Sequence, residues 1–207
     1  MKKKIFMMAL ATCLIVLSIA GSSLAYFTDI DTGREVFTAG NVDIDLNHVK
    51  PTTGNLYPGE EYTAANATIS NVGSEDAYIG AIVKFALPKT AAPNTILTLF
   101  NDINADGKTV KYTATEGVAS TEYTVYVVFT DVLTTTATPA TATATIFNKM
   151  TIPNAWGAVE LSSFTEVNYT AYAVQKAGFD NAVTALTTAF NTDDAWNPYT
   201  GAAILTP

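Results

Sequence analysis

Cysteine, histidine and arginine are almost missing from this chain of 207 residues: it has one of each, Cys13, His48 and Arg34. A single histidine leaves no His-Glu-x-x-His pair for a zinc protease. A serine triad would have to use His48, and no Gly-x-Ser-x-Gly elbow occurs. EF-hand-type loops and Gly-rich phosphate loops are also missing. Basic residues are scarce, 11 Lys+Arg against 19 Asp+Glu. Such a surface repels phosphate backbones and anionic headgroups, which disfavours nucleic acid and direct lipid binding. No catalytic residue, metal ligand or cofactor is expected, and His48 reads as a surface residue just after the first regular strand.

What is present begins with an export signal. Lys2, Lys3 and Lys4 precede an uncharged, mostly apolar run from Ile5 to Ala20. Ser23 and Ala25 are the small residues a signal peptidase reads, which places cleavage between Ala25 and Tyr26. The run is shorter than the roughly 20 residues of a usual membrane-spanning helix. Cys13 lies inside it. A lipoprotein box would end the apolar run at that cysteine, whereas here the run continues, so Cys13 reads as a small h-region residue.

Removing the leader takes three lysines and leaves 8 basic against 19 acidic residues, a net of −11. No cysteine remains, so stability must come from a packed core and not from disulfides. About 180 residues suffice for one domain. The expected division is a signal peptide over 1–25, an N-terminal arm over 26–40 and one domain over 41–207.

The dominant hydrophobic period in that domain is two, the mark of strands. Val42, Ile44 and Leu46 alternate with polar neighbours. Ile79, Ala81, Val83, Phe85 and Leu87 share one face, while Tyr78, Ile82 and Lys84 take the other, so this strand should be central. Tyr123, Val125, Val127 and Phe129 form a further face, and "VNYTAYAVQ" another β-rich run. Pro58-Gly59, Asn71 to Ser74, Asn104 to Gly107 and Pro153-Asn154 punctuate them as turns. The pattern predicts an all-β, jelly-roll-like sandwich with one short helix near the C-terminus. That helix is expected from the stripe Ala182, Val183, Leu186, Ala189, Phe190, with Asp180 as its N-cap. The Thr/Ala-rich tract from Leu133 to Phe147 reads as two strand ends joined by an exposed loop.

The acid pairs Glu60-Glu61, Glu75-Asp76 and Asp193-Asp194 sit in turn-like contexts and read as solvated. Tyr57, Tyr62, Trp156, Trp196 and Tyr199 are candidates for a sugar-stacking platform, although aromatics near turns more often cap a core. The chain ends at "AAILTP" without a sortase-type tail, so covalent wall attachment is not expected.

Three stretches carry a family resemblance: "AYFTDIDTGREVFTAGNVDIDL" from Ala25, "NVGSEDAYIGAIVKF" from Asn71 and "AYAVQKAGFDNAVTAL" from Ala171. They resemble the TasA/camelysin family of exported Gram-positive proteins, whose signal peptides are cut by an ER-type signal peptidase. The resemblance implies a jelly-roll domain and a structural role in an extracellular biofilm-matrix fibre or pilus-like filament. It implies polymerisation with other copies of the same chain, with room for other matrix components or an accessory assembly protein. The freed arm would complete the sandwich of the next subunit by donor-strand complementation. Membrane contact would be confined to the uncleaved signal peptide. Camelysin-like members also carry a peptidase label, for which no residues are found here.

In that reading Tyr26, Phe27, Ile30, Val36 and Phe37 anchor the arm, and Gly33 and Gly40 act as its hinges. The arm's alternation is poor, because Asp29 and Asp31 share the face of Phe27. An ordinary edge strand or tail of a monomer therefore stays open, as does a monomeric carbohydrate- or surface-binding module.

Overall fold

The computed structural model describes residues 28–31, 42–48, 56–62, 67–135, 143–190 and 195–205. A six-stranded antiparallel sheet dominates. Its strands are β1 (Thr28–Asp31), β5 (Ala77–Pro88), β7 (Lys108–Glu116), β8 (Ser120–Phe129), β11 (Val167–Gln175) and β12 (Ala203–Ile204), in the order β1-β11-β5-β8-β7-β12. Opposite it lie two three-stranded sheets. One is β2 (Ile44–His48), β4 (Ala67–Asn71) and β9 (Thr143–Phe147); the other is β3 (Glu61–Tyr62), β10 (Lys149–Thr151) and β6 (Phe100–Asn101). The all-β, sandwich-like class expected from the two-residue period is what the chain adopts.

Side chains from all three sheets meet between the layers. Ile79, Ala81, Val83, Phe85 and Leu87 of β5 enter this inner cluster beside Ile69 of β4, Phe100 of β6 and Phe147 of β9. Phe100 is the aromatic hub, with ring centroids 4.9 Å from both Phe85 and Phe147. β5 is central, as its two apolar faces require. Its other face carries Tyr78 and Ile82 into a second, outer cluster, while Lys84 is exposed.

The outer cluster exists because helix and loop cover the large sheet from outside. The stripe near the C-terminus forms helix α3 (Ala182–Ala189), which buries Ala182, Ala185 and Leu186. Its N-cap is Asn181 and not Asp180: the Asn181 side-chain oxygen accepts from the Thr184 amide at 2.9 Å. Two further helices were not expected, the five-residue α1 (Thr95–Leu99) and the six-residue α2 (Ala158–Ser163). Segments so short present barely more than one turn, too little to register as a 3.6-residue period. After α3, a 3-10 turn over Asn197–Gly201 follows Trp196, which packs with Tyr199 on Tyr126. Gly80 makes this fit possible. A Cβ there would come within 2.6 Å of the Trp196 ring and 2.7 Å of Leu186.

The turns fall where the punctuation places them. Buried Asn71 shows why one of them is fixed: its side-chain nitrogen donates to the carbonyls of Glu75 and Leu133, both at 2.9 Å, and its oxygen accepts from Gly73 N–H. One amide thus closes the turn and pins the start of the Thr/Ala tract. That tract ends in β9, so its strand ends are seen at Leu133, which bridges Ala77, and at Thr143–Phe147.

Candidate functional site

The arm is the candidate site, and its described part is β1. It lies antiparallel on β11, with Thr28 opposite Val174, Asp29 opposite Ala173, Ile30 opposite Tyr172 and Asp31 opposite Ala171. β1 is the edge of the large sheet and also runs beside β2, an edge of the facing layer. Four residue pairs hold it, against nine between β11 and β5. A strand this short contributes few ladder hydrogen bonds, so the arm is the most weakly held strand of that side.

Of the residues expected to matter, Ile30 is placed in this edge strand. Ser23, Ala25, Tyr26, Phe27, Gly33, Val36, Phe37 and Gly40 lie outside the described residues. What sequence reasoning missed is the arm's seat, Ala171 to Val174 on β11. Those four residues are all buried, so nothing in their composition distinguishes a penultimate strand from an interior one.

The aromatic platform is not formed. Trp196, Tyr199, Tyr62 and Trp156 are 0%, 3%, 7% and 7% exposed, and they belong to two different clusters, Trp196 and Tyr199 outside the large sheet and Tyr62 and Trp156 inside. Only Tyr57, 54% exposed, faces solvent. Stacking needs several flat faces on one open surface, and here the rings fill cores instead. The Tyr62 hydroxyl donates to the Glu60 carboxylate at 2.9 Å, and burial pushes its pKa upward.

The acid pairs are used singly. Glu61 pairs with Lys149 at 2.7 Å on the surface, and Asp76 accepts from Thr135 N–H at 3.2 Å. Asp193-Asp194 lies outside the described residues. His48 is the exposed last residue of β2, opposite Ala67 and 5.7 Å from the Tyr169 ring, not beyond the strand as expected.

Comparison with known proteins gives one match. Residues 1–83, which reach into β5, fit the model of the Peptidase_M73 family, described as camelysin metallo-endopeptidase. No curated protein and no solved structure matches the chain. The family's title implies a metal, and the described residues do not fit one: no group of three or more His, Cys, Asp or Glu among them is placed to hold an ion. Among the described residues no helix is long and apolar enough to cross a membrane.

Proposed function

With the match over residues 1–83 supporting membership of the TasA/camelysin family, we propose that this chain is an exported structural subunit that polymerises through its N-terminal arm. Cleavage after Ala25 frees Tyr26 and the arm. The arm then adds to the β11 edge of the next copy, and the process repeats head-to-tail as an extracellular fibre. The partner is another copy of this chain, and the reading needs no cofactor.

One observation carries the reading: the described part of the arm is a four-residue edge strand on β11. An edge strand is the one element that can be exchanged for a neighbour's without unpicking the sheet. The contacts made in one chain and between two chains are then the same. The choice between them rests on the length of the connection, residues 32–41, and on concentration. A head-to-tail exchange of this sort does not close on itself, so it gives filaments and not dimers.

The same pairing, made within one chain, satisfies the edge of a monomer, and that is the second reading. Mature protein starting at Tyr26, compared with protein starting at Gly40, separates the two. Size-exclusion chromatography and negative-stain microscopy should show filaments only with the complete arm. Monomers from both, across concentration and pH, would reject the polymer. Polysaccharide binding would then be the next property to assay, although the burial of four of its five candidate aromatics weakens that case.

A further inference from the structure

We infer that Lys108 and Asn148 become joined by a side-chain amide bond, with Asp102 as the proton carrier. The three residues come from separate places: Asp102 follows β6, Lys108 opens β7, and Asn148 separates β9 from β10. The Lys108 amine donates to the carbonyl oxygens of Asp102 at 2.5 Å and Ile146 at 3.0 Å. The Asn148 side-chain nitrogen donates to the Asp102 carboxylate at 2.5 Å. Nucleophile and amide therefore both lie against Asp102, the amine at its backbone carbonyl and the amide at its carboxylate. The amine also hydrogen-bonds the backbone only two positions before Asn148.

The surroundings suit a nucleophilic amine. Lys108 Nζ stands 5.9 Å from the centroid of the Phe129 ring. Burial lowers its pKa to about 8, even though the Asp102 charge acts in the other direction. A lysine of ordinary pKa is protonated at neutral pH and has no lone pair to offer; this one has a usable neutral fraction.

The step balances without an oxidant. The Nζ lone pair attacks Cγ of Asn148 and forms the new N–C bond. The proton that Nζ gives up passes through solvent to the Asp102 carboxylate, which is exposed and delivers it to the amide nitrogen it already holds. That C–N bond breaks, and ammonia leaves into solvent, because Asn148 is exposed. One amine and one primary amide give one secondary amide and one ammonia.

The location gives the bond a purpose. It would tie β7 of the large sheet to the junction of the two small sheets, joining the layers covalently. The mature chain has no cysteine with which to do this, and a cross-link closing residues 108–148 restricts the unfolded chain as a disulfide does. The inference stands whether or not the chain polymerises.

The test is mass spectrometry of the purified full chain, denatured, with its N-terminus determined. The expected mass is lighter by one ammonia than the sequence requires. A tryptic digest should contain a branched peptide joining Lys108 to Asn148, with no cleavage after Lys108. Lys108→Arg and Asn148→Ala should restore the full mass, and Asp102→Ala should slow or abolish the loss. A full wild-type mass, with Lys108 freely labelled by an amine reagent after unfolding, overturns the inference. So does loss of water with a Lys108–Asp102 link, or ammonia loss mapped elsewhere. The wild-type digest decides even where a variant fails to fold.

Discussion

The two apolar clusters on either side of the large sheet share β5 but are built differently. The inner one is lined by strands from three sheets, so most of its side chains sit on long-range paired strands of facing layers. The outer one is one sheet face roofed by an eight-residue helix and a 3-10 turn. Loss of packing inside must therefore be shared by the whole sandwich, whereas loss outside can be met by lifting the roof. A further asymmetry points the same way. Trp196, fully buried in the outer cluster, has an indole N–H with no hydrogen-bond partner among the described residues, a cost the roof bears.

Truncating the hub of each cluster tests this most severely. Phe100→Ala should cost about 3–5 kcal/mol in urea unfolding, through transfer and cavity terms together. Trp196→Ala should cost about 3 kcal/mol, the low end of the same range. Its hydrogen exchange should rise selectively in α3 and the 3-10 turn while β5 and β8 stay protected. Equal exchange throughout would erase the distinction between core and roof.

Gly80 sharpens the comparison from the sheet side. Gly80→Ala puts a methyl against Trp196 and Leu186, and overpacking of this kind costs about 1–3 kcal/mol. Combining it with Leu186→Ala should recover part of that loss, which denaturation of the double variant measures.

The helix cap is a smaller effect. Asn181→Ala removes the bond to Thr184 and should cost about 1 kcal/mol. Asp180→Ala should stay within about 0.5 kcal/mol, as a surface change away from such features does. Reversal of that order would return the cap to Asp180.

A pH-dependent effect belongs to the rim of the inner cluster, where Lys108 stands over Phe129. In Asn148→Ala the amine is free in every molecule. Its folded pKa of about 8 lies below the ordinary lysine value of 10.5, so between those values the unfolded chain binds more protons. Stability should then rise as pH climbs from about 8 towards 10. Above about 10 it should fall again, since burial raises the tyrosine hydroxyls of Tyr123, Tyr126, Tyr169 and Tyr199. Chevron or urea titrations across this range give the sign. A flat profile from 8 to 10 would mean that the amine is not held as described.

Much of this molecule was legible in advance because strand periodicity is a local property. The run Val167–Gln175 read as β-rich is β11 from end to end, and both apolar faces of β5 announced its central place. The first regular strand was found but displaced: Val42 and Ile44 are buried and Asp43 and Asp45 exposed as the alternation demands, yet pairing runs from Ile44 to His48. Alternation fixes faces, whereas strand ends depend on where the partner strand stops. β7 passed unread because its pattern is mostly threonine and lysine around one fully buried apolar residue, Val110.

The candidate site divides along the same line. By itself the sequence determined an acidic, strand-built chain with a single cysteine, since composition and period belong to neighbouring residues. Only the tertiary structure decided that the arm's seat is β11, that four of the five candidate aromatics are core, and that Lys108, Asp102 and Asn148 meet. Each of these depends on which distant segments become neighbours, and that is settled by burying two faces of one sheet at once.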